Sequence, residues 1–504
     1  MSLTINLIRM KNLIFILFLF TSCSLFAQTN LGSFEKGQDI GNVKNPGSVV
    51  YNASTEKYTL KASGTNLWAN SDEFYFVWKK TSGDFILYAS LQFIGKGVDP
   101  HRKTGLMIRK SLEPNSAYAD IAIHGDGLSS LQYRTKDGNV TEEIKSVQTH
   151  FSIVQLQKEG NTITVKVAHP GEPLQLVGKL DIDFGSEEFY VGLLGCSHNP
   201  NVTEEFELTN IRYTVPASTN FVPYKDYIGS RMEILDVNTG LRKVIYESEV
   251  PFEAPNWTRD GKFLIYNSKG KLYRISVDGG QPEVINTGFA TANNNDHGIS
   301  TDGKMLAISH HPADREGKST VYILPIGGGE PKVMTDKSPS YWHGWSPDGK
   351  YLLYTGERDK EFDIYRIPVA GGSEVRLTKA SGLDDGSEYS PDGKMIYFNS
   401  NRTGTMQVWK MKADGSDQQQ VTFDDYNDWF PHVSPDGKSI IFISYPNTTP
   451  SGDHPYYKHV MLRTMPLNGG AIKVVAHIYG GQGTFNVPSW SPDGKKVAFV
   501  SCSN

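Results

Sequence analysis

The sequence predicts an all-β protein with an N-terminal β-sandwich followed by a C-terminal six-bladed β-propeller. Two observations support this fold class. A hairpin turn that ends in Asp-Gly recurs in six copies through the second half of the chain, and four of them read Ser-Pro-Asp-Gly. Residues 29–215 show alternating apolar and polar positions between turn residues, which is typical of half-buried strands.

The repeated turn is clearest in Tyr341–Tyr354, YWHGWSPDGKYLLY. Proline sets φ for the second position of a type I turn, and glycine tolerates a positive φ at the fourth. Apolar runs on both sides predict a hairpin. The turn aspartates are spaced by 42, 46, 44, 44 and 57 residues: Asp260, Asp302, Asp348, Asp392, Asp436 and Asp493. A period of roughly 40–45 residues built from strands and turns is typical of one propeller blade.

The two ends of the repeat region are predicted to share one blade. Residues 231–247 form a strand–turn–strand pattern with no repeated turn before it, and the last copy is followed by a single strand pattern ending at Asn504. Pairing these ends gives six blades over 225–504. Such closure also removes the exposed sheet edges of an open ring.

The pattern Trp-Ser-Pro-Asp-Gly-Lys before a β-rich run resembles the repeat of the TolB-type six-bladed propellers of bacterial envelopes. This resemblance covers more than half of the chain and implies a fold, because propellers host many activities. The N-terminal region differs from TolB, which carries a small α/β domain there. Residues 104–123 and 189–200 instead resemble the concanavalin A-like jelly-roll modules found beside bacterial carbohydrate-active domains. We therefore expect a sandwich over 29–215, a linker over 216–224 and a propeller over 225–504.

The N-terminus predicts export. Lys11 precedes the short apolar run LIFILFLF, and a cleavage site after Ala27 gives a signal peptide over 1–27. A competing interpretation uses FTSC as a lipobox, with Cys23 lipidated. Both interpretations predict a periplasmic or extracellular protein without a transmembrane helix in the mature chain.

Composition and motifs exclude several classes of function. The net charge of −5 and the lack of a long basic run argue against a nucleic-acid partner. No GxSxG elbow, Walker motif or dinucleotide-binding glycine pattern is present in a suitable context. After signal removal only Cys196 and Cys502 remain, and we expect two buried free thiols.

The N-terminal region contains residues suited to sugar recognition. Aromatic faces stack on sugar rings, and planar polar groups bind hydroxyls. The candidates on a sandwich face are Trp68, Arg109, Arg134 and His198. The alternative is that these side chains pack in the core or hold loops.

A second set of candidates precedes the repeated turns. Residues four or five positions before a turn aspartate lead into the innermost strand of their blade, and innermost strands line the central channel. These positions hold His297, His343, Glu388 and His432. We expect them at one mouth of the propeller, with nearby carboxylates and with two tryptophans as stacking surfaces: Asp296, Asp385, Asp428, Trp342 and Trp429. The alternative is that these residues are solvated and bond the loop backbone.

Three functions remain open on this evidence. The leading hypothesis is an exported protein that binds a glycan or another envelope or extracellular ligand at the propeller mouth, and also at the sandwich face. The second is a metal-assisted carbohydrate lyase or hydrolase, with His297, His343 and His432 as ligands of a divalent metal. Oligogalacturonate lyases have a similar design, a propeller with a histidine-bound metal. The third is a protein–protein scaffold of the cell envelope.

Overall fold

A computed structural model describes residues 30–185, 188–222 and 225–504. The predicted signal peptide, with Ala27 and Cys23, lies outside the described residues. In the described ranges, Ala313–Arg315 is the only helix, a single 3₁₀ turn, and no helix is long and apolar enough to span a membrane. The protein is built from β-strands, as the sequence predicts.

The first half of the described chain forms two antiparallel sheets. Their strands are β1 (Lys36–Ile40), β2 (Ser48–Asn52), β3 (Lys57–Ala62), β4 (Asn66–Trp68), β5 (Ser71–Thr81), β6 (Phe85–Ile94), β7 (Lys103–Arg109), β8 (Tyr118–His124), β9 (Ser129–Arg134), β10 (Glu142–Lys145), β11 (Ile153–Glu159), β12 (Thr162–Ala168), β13 (Gln175–Asp181), β14 (Phe189–Cys196) and β15 (Glu204–Thr214). One sheet has the order β1-β5-β14-β7-β8-β9-β10, with β4 paired to β5, and the other has the order β13-β12-β11-β6-β15-β3-β2.

The two sheets share one hydrophobic core. Val77 and Leu106 from the first sheet and Leu156 and Val165 from the second are fully buried in the same cluster. Alternation along each strand sends one set of side chains inward, and burying each of them contributes about 1.5–3 kcal/mol. Period-two patterning therefore explains why these segments form paired sheets.

The second half forms six blades around an axis. Its strands are β16 (Gly229–Asp236), β17 (Arg242–Ser248), β18 (Glu253–Trp257), β19 (Phe263–Ser268), β20 (Lys271–Ser276), β21 (Glu283–Ile285), β22 (Asn293–Ile299), β23 (Met305–His310), β24 (Thr320–Pro325), β25 (Lys332–Val333), β26 (Ser340–Trp345), β27 (Tyr351–Arg358), β28 (Glu361–Pro368), β29 (Val375–Arg376), β30 (Asp384–Tyr389), β31 (Met395–Ser400), β32 (Gln407–Lys412), β33 (Gln419–Gln420), β34 (Asn427–Val433), β35 (Ser439–Tyr445), β36 (Lys458–Pro466), β37 (Lys473–Gly480) and β38 (Lys496–Ser503).

Five blades are four-stranded sheets in sequence order, beginning with β18, β22, β26, β30 and β34. Neighbouring first strands contact one another from β18 through β34, and β18 also contacts β38 of the sixth blade, so they surround the central channel. The sixth blade has the order β17-β16-β38, and Trp490 bridges to Val497 on its inner side. The predicted six blades and the predicted closure by the two ends are confirmed.

The repeated turns share one hydrogen-bond pattern. The Ser346 hydroxyl donates to Asp348 Oδ1 at 2.7 Å, and the same carboxylate oxygen accepts from the backbone N–H of Lys350 at 3.1 Å. The backbone N–H of Tyr351 donates to Ser346 Oγ at 2.9 Å. Gly349 has a φ of +70°, where a Cβ atom would be strained. Local turn chemistry therefore sets the register of each inner hairpin, as the sequence predicts.

The N-terminal sheets dock on the closing blade. The Arg212 Nε of β15 donates to Glu233 Oε2 of β16 at 2.9 Å, and Arg242 Nη2 of β17 donates to Glu233 Oε1 at 2.8 Å. After β15 the backbone N–H of Val215 donates to the Ser503 hydroxyl at 3.0 Å. A buried ionic network thus joins β15 to the first two strands of the propeller.

Candidate functional site

The five complete inner strands all contain an irregularity in register at the same level of the channel. Pairing with the second strand shifts between Glu253 and Asn256 in β18 and between Asp385 and Glu388 in β30, and β22, β26 and β34 shift likewise. Two of these bulges contain non-glycine residues with positive φ, Ala254 at +58° and Phe430 at +52°. Bulges re-aim side chains and are frequent beside functional sites. They separate two groups of polar residues along the channel.

The first group, here called the entrance cluster, consists of Glu253, Asp296, His343, Asp385 and His454. His343 Nε2 lies 2.8 Å from Asp385 Oδ1, and the two side chains form an ion pair. Burial lowers the pKa of His343, but the charge of Asp385 outweighs this effect and raises it. The pKa of Asp385 is lowered to about 2, because His343 outweighs the burial of the carboxylate. The pair is therefore ionised at moderately acid pH.

In two further carboxyl groups of the entrance cluster, burial outweighs the effect of nearby charges and hydrogen bonds. Burial raises the pKa of Asp296 to about 7, although His343 opposes the rise, and burial raises the pKa of Glu253 to about 7. Glu253 accepts hydrogen bonds from Asn295 Nδ2 at 2.9 Å and from the Tyr456 hydroxyl at 3.0 Å. Acids with pKa values near neutrality in a channel can donate or accept a proton from a ligand.

The second group lies beyond the bulges, at the end of the channel formed by the repeated turns. His432 Nδ1 and Glu388 Oε2 are 2.7 Å apart, and they come from neighbouring blades. Glu388 lines a cavity of about 320 Å³, here called the turn-side cavity. Its aromatic wall consists of Trp257, Trp345, Tyr389 and Trp490.

The residues of this aromatic wall share a position in the repeat. Each directly precedes the Ser or Thr that begins a repeated turn, and the other two blades place Ile299 and Val433 there. The indole N–H groups of Trp345 and Trp490 donate to the backbone carbonyls of Gly298 and His432, both at 3.1 Å. Sequence reasoning missed this wall, although aligning the six repeats at the residue before the turn reveals it.

His297 does not join either group. Its Nε2 lies 3.2 Å from the Ile265 carbonyl of the preceding blade, and the side chain is fully buried. Burial lowers the pKa of His297 to about 4, so it is a neutral residue of the blade interface. His343 and His432 pair with different carboxylates. In the described ranges the three predicted metal ligands therefore do not converge on one ion, which corrects that prediction.

The prediction that Trp342 and Trp429 offer stacking surfaces at the propeller mouth is also corrected. Trp342 and Trp429 are fully buried, Trp342 against Gly298 and Trp429 in the core beside His454. Only part of Trp342 reaches the wall of the turn-side cavity. Neither indole presents an open face, because the strand pleat at the bulge turns it into the blade core.

Asp428 is a structural residue as well. The carboxylate is fully buried and lies 2.5 Å from Arg463 Nη2, while the Ser444 hydroxyl donates to it at 2.8 Å. Burial raises the pKa of Asp428 to about 6, although Arg463 opposes the rise. Asp428 therefore links the inner strand of its blade to the third strand of the same blade.

The sandwich-face candidates do not form one surface. Arg109 and Arg134 are fully buried, and Arg134 Nη2 lies 2.9 Å from Asp72 Oδ1. Both arginines therefore stabilise the interior of the N-terminal sheets and are not accessible to a sugar. Trp68 is 40% exposed. His198 lies at a different edge, after β14, beside His101 with ring centroids 5.4 Å apart. Among the described residues, Cys196 and Cys502 are buried and free, which confirms that prediction.

Comparison with known proteins identifies the family. A profile of the TolB beta propeller domain matches residues 315–451. An uncharacterized protein of Agrobacterium fabrum is 49% identical over 272 residues, which are 54% of this chain and 92% of that protein. A solved structure from Agrobacterium tumefaciens with the provisional name TolB is 48% identical, has a TM-score of 0.53, and is matched over 55% of this chain and 100% of its own. The chain therefore belongs to the TolB β-propeller family.

A more distant member of the comparison is TolB from Acinetobacter baumannii. It is 18% identical over 70% of this chain and 80% of its own, with a TM-score of 0.40.

Proposed function

We propose that the chain is an exported ligand-binding protein whose propeller channel binds a carbohydrate. The observation that carries this proposal is the turn-side cavity, where four aromatic side chains and the Glu388 carboxylate face one space. Aromatic surface with a few convergent polar groups is the usual composition of a sugar site.

An unpaired donor in the cavity wall supports a polar ligand. The indole Nε1 atom of Trp257 is buried and has no hydrogen-bond partner among the described residues. Buried donors are nearly always paired, so a ligand hydroxyl or water is the expected acceptor. The Glu388 carboxylate would accept from a second hydroxyl.

The domain arrangement and localisation belong to the same proposal. A signal over 1–27 would export the chain, with lipidation at Cys23 as the alternative end of that signal. The paired sheets over 29–215 would be a concanavalin A-like jelly roll, joined by 216–224 to the propeller over 225–504. The exposed Trp68 is the one sandwich-face candidate that remains open for a second sugar contact.

The experiment is calorimetric titration of the mature chain with a panel of neutral and acidic oligosaccharides. We expect one panel member to bind, and Glu388→Gln to weaken it about 10–100-fold, because a hydrogen bond to a charged group contributes about 1.5–3 kcal/mol. Trp257→Phe should also weaken binding, since it removes the free indole donor. Binding should survive a chelator.

Two variants control for general damage. Glu361→Gln changes an exposed strand carboxylate, and Trp409→Phe changes an indole on the third strand of a blade. Both should bind like the wild type. Binding that is unchanged in Glu388→Gln and Trp257→Phe would place the site elsewhere, and failure of the whole panel would reject a carbohydrate ligand.

A further inference from the structure

Three strand ends meet at one edge of the first N-terminal sheet. β7 pairs with both β8 and β14, and the register sets Lys103 opposite His124 and Cys196. The start of β7 therefore lies beside the ends of β8 and β14. Their adjoining loops bring His101, His124 and His198 to the same place.

The imidazoles at this edge are in contact with one another. The His101 ring lies 5.8 Å from the His124 ring and 5.4 Å from the His198 ring, measured between centroids. Asp126, in the turn after β8, places Oδ2 3.9 Å from His101 Nδ1. One ligand atom each from His101, His124 and Asp126 lies within 4.8 Å of the other two. Ligands of a tetrahedral zinc ion are roughly 3.3 Å apart, so a small contraction would close the site.

His124 supplies an independent indication of a ligand. Its side chain is 4% exposed, and neither ring nitrogen has a hydrogen-bond partner in the part of the chain that the structure describes. A buried imidazole with two unpaired nitrogens is costly unless something binds it.

The neighbouring charges restrict the kind of ion. Lys103 is buried beside His124 and opposes a cation, although its ammonium group is held away by donating to Asn66 Oδ1 at 2.7 Å. The nearby Arg102 is neutralised by Glu204, 2.7 Å away. Two imidazoles and one carboxylate suit zinc and similar transition metals, whereas calcium and magnesium prefer oxygen ligands.

We infer that His101, His124 and Asp126 form a binding site for a divalent transition metal of the zinc type at this edge. The site lies in the N-terminal sheets and is independent of the proposed carbohydrate site. The side chains of His101 and Asp126 are 50% and 38% exposed, so the ion would reach the site from solvent and keep positions for water.

The test is titration of the untagged, chelator-treated mature chain with zinc chloride, followed by calorimetry and by metal analysis after desalting. We expect one equivalent of zinc with micromolar or tighter affinity. Cobalt should bind at the same site and give the visible absorption of a four-coordinate ion. Asp126→Asn and His124→Gln should each weaken zinc binding at least tenfold.

Control variants distinguish loss of the metal site from general damage to the fold. His311→Gln changes a partly exposed histidine whose Nδ1 bonds the Gly317 carbonyl in its own propeller loop, and it should bind zinc like the wild type. If His124→Gln does not fold by circular dichroism, Asp126→Asn and His101→Asn decide the test, because both positions are exposed. Absence of zinc binding at 100 μM, on the order of a weak site, overturns the inference. So does unchanged affinity in the folded variants, or preference for calcium over zinc.

Discussion

Removing the charge of Glu233 tests how the propeller is closed and held to the N-terminal sheets. The carboxylate is fully buried and accepts hydrogen bonds from Arg212 of β15, from Arg242 of β17 and from the Ser501 hydroxyl of β38. Three parts of the chain that are distant in sequence therefore depend on one negative charge. Glu233→Gln keeps the shape of the side chain and removes that charge.

The expected loss of folding stability follows from Arg212 and Arg242, which would remain buried without their carboxylate partner. Breaking a buried ion pair by removing one partner costs about 3–5 kcal/mol, because the remaining charge is left without compensation. For a folding unit larger than 200 residues, each kcal/mol lowers Tm by roughly 2 °C, so we expect a fall of about 6–10 °C. The exposed pair of Glu283 and Arg274 is the matched control, and Glu283→Gln should cost less than about 1 kcal/mol.

The assay is differential scanning calorimetry of the two variants and the wild type between pH 3 and pH 7. Burial alone would raise the pKa of Glu233, but Arg212 and Arg242 hold it well below its usual range. The stabilisation is therefore present above the unfolded pKa of about 4.3 and is lost as the pH falls towards the folded value. The advantage of the wild type over Glu233→Gln should shrink below about pH 4. A Tm for Glu233→Gln equal to that of Glu283→Gln would refute the reasoning.

Three further predictions concern the turns, the channel and the thiols. Gly349→Ala should lower the free energy of unfolding by about 1–2 kcal/mol, because φ is +70°. No atom lies within 4 Å of a Cβ at this position, so the loss would come from backbone strain and not from a clash. An unchanged Tm would contradict the strain argument. The pKa of His343 is raised by Asp385, so its stabilisation is complete below the unfolded pKa of about 6.5 and is lost as the pH rises through the folded value. The Tm difference between the wild type and His343→Gln should therefore shrink from pH 6 to pH 9, and a difference that grows would contradict this sign. In a chain that begins at residue 30, Cys196 and Cys502 should not react with a thiol reagent until the protein is denatured, since burial raises their pKa values to about 11 and about 12; rapid reaction of the native chain would show that one of them is accessible.

The repeat made much of the propeller predictable. The turn around Asp348 is encoded by four consecutive residues, and its hydrogen bonds are local, so six copies could be counted without knowing any tertiary contact. Pairing of β16 with β38 followed from the unequal ends of the repeat. The pairing of His343 with Asp385 could have been predicted from the repeat, because both residues precede turns in adjacent blades.

The direction of individual side chains could not be read in the same way. A bulge changes which face of a strand a residue occupies, and no local residue pattern predicts where a bulge occurs. This is why Trp429 and most of Trp342 are in the blade cores, whereas Trp257 and Trp345 line the turn-side cavity.

The sequence by itself determined the β-strands, the repeated turns, the number of blades and the closure of the ring, because these depend on short-range turn chemistry and on a regular period. Only the tertiary structure decided which charges meet. Asp72 beside Arg134, and Glu233 beside Arg212, are joined by contacts between strands with no fixed spacing in the chain. Long-range pairing of this kind depends on how sheets pack, and a single sequence carries no local signal for it.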